Sequence, residues 1–184
     1  MPNVLMSVVA VAVDQSNNSP IVILRDIEDR FAIPIWIGLL EASAIQIELQ
    51  QVAIPRPMTH DILKTTIERL GGRLVSVEIC DLRQDTFFAT LNLEQDGRSL
   101  TIDARPSDAI ALALRFRAPI FVDERVAAEA SRPDLLERLK RNESATTGEG
   151  GGAAKRQGES GTESAEAQEI IEQLESGVEP KWKA

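Results

Sequence analysis

The chain has 184 residues, a formal net charge of −9 and one cysteine. That length suits a single domain with an appendage, and a lone cysteine excludes an intrachain disulfide or a multi-cysteine zinc site within one chain. The charge is unevenly held: residues 1–141 carry 16 Lys+Arg against 20 Asp+Glu, and residues 142–184 carry 4 against 9, so the tail holds more than half of the excess. The body therefore has no general basic field for DNA or RNA, and binding there needs a local arginine cluster or a metal. Fourteen of its 16 basic residues are arginine, the side chain suited to bidentate contact with phosphate, although genomic base composition produces the same bias. No segment approaches the roughly 18 apolar residues that cross a bilayer. The start, Met1-Pro-Asn-Val, lacks the basic region of a secretory signal, so a cytoplasmic protein is expected, with Cys80 as a small core residue in an apolar run.

Valine-rich residues 4–13 and the short run 21–24, separated by a polar turn, predict a hairpin. A strand over 31–37 contains Pro34, which places it at an edge or a bulge. Gly38 opens a helix over 39–52, and two prolines stiffen the connection to a second helix over 60–70, with Thr59 as N-cap and Gly71-Gly72 as stop. Strands over 73–82, 86–93 and 99–103 follow, joined by connections of hairpin length. A nearly all-apolar helix over 106–116 starts at Pro106 and must be buried. A strand over 119–122 and helices over 124–130 and 133–141 complete a compact α+β domain with a mostly antiparallel sheet packed with helices. Residues 142–184 are rich in Gly, Ser and Glu and predict a disordered, flexible C-terminal tail, with one short helix at 164–175 as a docking element for a protein partner.

Three helix starts carry unusual polar chemistry: Glu41, His60 with Asp61, and the junction Asp103-Ala-Arg-Pro-Ser-Asp108. Together they would combine carboxylates, one imidazole and one guanidinium, a set able to hold a divalent cation and position a phosphate. Each also has a plain structural explanation. Glu41, Asp61 and Asp108 are acids in first helical turns, Ser107 and Asp108 suit a helix start, and Arg105 can pair with Asp103. The chain has no Walker loop, G-x-G-x-x-G, H-E-x-x-H or G-x-S-x-G motif. One histidine excludes cleavage by an imidazole pair within one chain. A body with few aromatics argues against a stacking platform for single strands.

Four motifs in order carry a family resemblance: Pro34-Ile-Trp-Ile-Gly38 with Glu41, Arg56-Pro-Met-Thr-His-Asp61, Asp103-Ala-Arg-Pro-Ser-Asp-Ala-Ile-Ala-Leu-Ala113, and Ala118-Pro-Ile-Phe-Val122. Over roughly residues 4–130 the chain resembles the bifunctional nuclease domain family. The resemblance implies an α+β domain that self-associates, with a nuclease (hydrolase) activity on DNA and RNA. Under that hypothesis Glu41, Asp103 and Asp108 bind Mg²⁺ or Mn²⁺, Arg105 clamps a phosphate oxygen, and His60, oriented by Asp61, is general acid or base. A non-catalytic oligomeric binding module and a metal-dependent hydrolase of small phosphoesters are the rival expectations.

Overall fold

Turn chemistry sets the hairpins of the computed structural model, which describes residues 2–14 and 18–147, with side chains as far as Arg141. Strand β4 (Gly72–Arg83) turns into β5 (Thr86–Gln95) through Gln84 and Asp85, both at positive φ, and β5 turns into β6 (Arg98–Ala104) through Asp96 and Gly97, again both positive. Two-residue turns of this hand match the natural twist of paired strands. Ahead of them lie β1 (Asn3–Asp14), β2 (Ser19–Asp26), β3 (Ala32–Trp36), α1 (Leu39–Leu49) and α2 (Thr59–Arg69). After them come α3 (Pro106–Phe116), β7 (Ile120–Asp123), α4 (Glu124–Ala130) and α5 (Pro133–Thr147).

The seven strands form one sheet in the order β3-β2-β1-β7-β4-β5-β6. Every pairing is antiparallel except β4 with β7, where the chain returns through α3 to place a parallel strand in the middle. The α+β architecture expected from the sequence is the one observed. Pro34 lies on the edge strand β3, where its missing N–H breaks no interior ladder. At the other end of β2, the buried Asp26 carboxylate accepts hydrogen bonds from the Glu28 and Arg30 N–H groups and the Arg30 side chain. Burial works against its charge, but those bonds prevail and hold its pKa below the usual carboxylate range.

Helix α3 is the buried support of the fold. Ala109, Ile110, Ala111, Leu112 and Ala113 are all at most 1% exposed, packed with Val77, Ile79, Ala89 and Leu91 of the sheet. Its small residues let α1 approach with Ala42 and Ala44, also buried. Pro106 occupies the first turn, Asp108 stands beside it, and Arg117 ends the helix in the left-handed conformation at φ 54°. Helix α2 is different, because none of its residues is fully buried and Ile62 and Leu63 lie exposed on it.

Some boundaries move for local reasons. Helix α1 stops at Leu49 because Gln51 turns left-handed at φ 52°. Helix α2 includes Thr59, with Met58 as its N-cap, because the Asp61 carboxylate reaches back to the Met58 N–H at 2.8 Å. Helix α5 runs past residue 141 to Thr147. The expected tail helix at 164–175 lies outside the described residues.

Candidate functional site

The starts of α1, α2 and α3, whose meeting the sequence leaves open, converge, and Arg105 is their hub. As the N-cap of α3 it leaves the helix with extended backbone and reaches two carboxylates. Its Nε and Nη2 donate to Asp108 Oδ2 and Oδ1 at 2.7 and 3.2 Å, a bidentate fork, and its Nη1 meets Glu41 Oε1 at 2.9 Å. His60, from the first turn of α2, places Nε2 3.2 Å from Asp108 Oδ1. Glu41, Arg105, Asp108 and His60 thus form one continuous polar chain across three helix starts. Burial tends to raise the Asp108 pKa, but the hydrogen bonds with Arg105 and His60 outweigh it and keep the carboxylate ionised below the usual range.

An open cleft of about 450 Å³ lies beside this chain, lined by Trp36, Glu41, Thr86, Phe87, Arg105 and Ser107 among others. Four pieces of chain build it: Ser19 at the start of β2, the end of β3 with its connection to α1, the tip of the β4–β5 hairpin and the start of α3. Gly38 matters here because a Cβ on it would overlap the Glu41 carboxylate, which folds back over the helix start. His60 is not among the residues lining the cleft, and touches it only through Asp108 and Arg105.

Two expected members stand elsewhere. Asp103 lies opposite Thr90 of β5, which lies opposite Glu78 of β4, whereas Ala89 and Leu91 on the alternate positions pack beneath α3. Because side chains alternate along a strand, Asp103 is on the sheet face away from the cluster, within the electrostatic reach of Cys80. Glu41, Asp103 and Asp108 are therefore not brought together in one chain. Among the described residues no three His, Cys, Asp or Glu side chains are placed to hold one metal ion, and the guanidinium of Arg105 lies between Glu41 and Asp108 where a shared cation would go. The residues do not fit an all-protein Mg²⁺ or Mn²⁺ site.

Asp61 is the second. Its oxygens go to the Met58 N–H and to Arg115 Nε, at 2.8 and 2.6 Å, so the carboxylate against the His60 imidazole is that of Asp108. Arg115 gave no signal beyond its place in the last turn of α3, yet its side chain is only 2% exposed. It donates through Nη1 to the carbonyls of Ala44 and Ala111 and ties α1, α2 and α3 behind the site. Cys80 is half-buried, and burial raises its thiol pKa, which leaves it a poor nucleophile.

Comparison with known proteins agrees with the motifs. An uncharacterized protein of Mycobacterium tuberculosis is 44% identical over 140 residues, spanning 76% of this chain and 82% of that one. The protein named bifunctional nuclease 1 of Oryza sativa subsp. indica is 30% identical over 126 residues, 60% of this chain and 38% of the plant protein. Its namesake in Arabidopsis thaliana is 28% identical over 113 residues, 59% of this chain and 34% of that protein. The plant proteins extend well beyond the shared stretch. The pattern of the bifunctional nuclease domain matches residues 22–134, a span that takes in Trp36, Glu41, His60, Arg105 and Asp108, and by that match the chain belongs to the bifunctional nuclease domain family.

Proposed function

We propose that this chain hydrolyses phosphodiester bonds of DNA or RNA in the cleft beside Arg105, in the cytoplasm. The observation that supports this most is Arg105 itself, an arginine two-thirds exposed at the cleft wall and already arranged in a bidentate fork. A phosphate oxygen pair has the same geometry as the Asp108 carboxylate and can take its place or that of Glu41. Once phosphate engages Arg105, Glu41 stands at the cleft wall with a free oxygen. It takes a proton from water as the water oxygen attacks phosphorus, and returns it as the leaving oxygen departs. His60 acts through Asp108 as a positioning residue, holding that carboxylate while Arg105 changes partners.

The test is cleavage of end-labelled single- and double-stranded DNA and RNA with Mg²⁺, Mn²⁺ or EDTA. Glu41→Gln should lower the rate about 10²-fold, the size expected for a lost general base. Gly38→Ala should lower it about 10-fold or more by displacing Glu41, with a melting temperature close to that of wild type, since only a side-chain end must move. Binding without cleavage under every condition would favour the non-catalytic module instead.

Self-association belongs to the same proposal, through β6 and not through the β3 edge. The Ala32 N–H and carbonyl of β3 are taken by Ser131 and the Arg132 N–H. Strand β6 ends the sheet, and six of its seven residues are exposed, including Leu100 and Ile102. Paired antiparallel with a second copy about Thr101, it would set Leu100 opposite Ile102, Thr101 opposite its twin and Ser99 opposite Asp103. Apolar and threonine pairs of this kind favour a shared sheet, and no like charges meet. Light scattering should give a dimer for the wild type and a folded monomer for the double variant Leu100→Lys, Ile102→Lys. An unchanged mass would remove β6 as the contact.

A further inference from the structure

We infer that the cleft takes an unpaired nucleobase stacked on Trp36, which makes single-stranded nucleic acid the substrate; this rests on the phosphodiesterase proposal above. The first four residues of β3 are buried and the fifth, Trp36, is 48% exposed. It is the one aromatic side chain exposed among the described residues. Its indole N–H donates to Asp14 Oδ2 at 3.0 Å, which fixes the ring in orientation. A rigid aromatic held half in water at a cleft wall is costly to leave bare and inexpensive to cover, because little side-chain freedom is lost on binding. A body with few aromatics cannot build a platform for several bases, but one ring covers one base.

The cleft is the right size and polarity for that occupant. Its volume of about 450 Å³ suits a nucleotide, and Arg105 and Ser107 line the same space as Trp36 and Phe87. A base inside a duplex has both faces covered by its neighbours, so it reaches Trp36 only when unpaired and unstacked. Charge points the same way. Glu41 and Asp85 line the cleft along with Arg105, so there is no basic track to hold a duplex backbone. Affinity must come from stacking plus about one phosphate contact, which predicts a shallow salt dependence with a slope near −0.7 in log K against log salt.

The experiment uses the full chain carrying Trp182→Phe, so that Trp36 is the sole tryptophan. Binding is followed in EDTA with fluorescent single-stranded hexanucleotides, the same backbone lacking bases, and a blunt duplex. The single strand should quench Trp36 fluorescence, and neither the abasic strand nor the duplex should do so. In fluorescence anisotropy, with Trp182 present or replaced, Trp36→Ala should weaken hexanucleotide binding about 5- to 100-fold. Trp36→Phe, which keeps a ring, should recover most of it. Equal binding of the abasic strand, or an affinity unmoved by Trp36→Ala in a folded protein, would overturn the inference. The two proposals fail separately: quenching without cleavage removes the hydrolase and leaves the base site, whereas cleavage with a KM indifferent to Trp36 does the reverse.

Discussion

Replacing Arg105 with alanine should lower phosphodiester cleavage by about 10²- to 10³-fold, the loss measured when one preorganised donor to a developing oxyanion is removed. Arg105→Lys should recover little of it. A lysine ammonium is a point charge and cannot present two parallel N–H groups to a phosphate while a third faces Glu41. The melting temperature should change little, because Arg105 is two-thirds exposed and its ion pairs are screened by solvent. His60→Ala should act more mildly and mainly on the rate, since the imidazole reaches the cleft only through Asp108.

The largest effect on stability should come from Asp61. Truncation to alanine leaves the Arg115 guanidinium, 2% exposed, without its carboxylate, and should cost about 3 kcal/mol in chemical denaturation. Arg115→Met should cost less, because it removes the buried charge along with its need for a partner, and the double variant should fall below Arg115→Met only by about 1 kcal/mol for the lost Met58 N–H bond. The pair also sets a pH dependence. Burial tends to raise the Asp61 pKa, but the Met58 N–H and Arg115 prevail and hold it below its ordinary value. A carboxylate depressed in the folded state contributes stability that is complete above the unfolded pKa near 3.9 and is lost as pH falls through the folded value. Asp26 and Asp108 are shifted the same way. Acid unfolding titrations should therefore show stability falling below about pH 4, with a shallower fall in the Asp61→Ala variant.

Helix α3 was legible because its signals are local. Pro106 at the start, Asp108 in the first turn and an unbroken apolar run state both where the helix begins and that it is buried. The meeting of Glu41, His60 and Arg105 was legible only as a set of helix starts, since nothing in spacing says which termini of a fold share an end. Asp103 misled because it adjoins Arg105 in sequence, and period-2 alternation on β6 then carries it to the opposite face. That signal was present: if Ile102 lies on the face of Leu91, its neighbour Asp103 cannot. Arg115 carries no mark in the sequence, because a basic residue in a last helical turn satisfies the helix dipole without further explanation. It lies seven residues after Asp108, on the stripe of α3 that meets α2, and only tertiary packing reveals that α2 closes over it. Trp36 is marked in the sequence only as part of the Pro34–Gly38 motif at the end of an apolar strand, and its sharing a cleft with the hairpin tip of β4 and β5 is a matter of tertiary packing.

Hydrolysis at the Arg105 cleft requires the forked guanidinium. The most direct test is single-turnover cleavage of an end-labelled single strand by wild type and by Arg105→Lys, purified in parallel and shown to be folded. The wild type should cleave the strand, and the variant should do so at a rate at least about 10²-fold lower. Equal rates in the two preparations would contradict it.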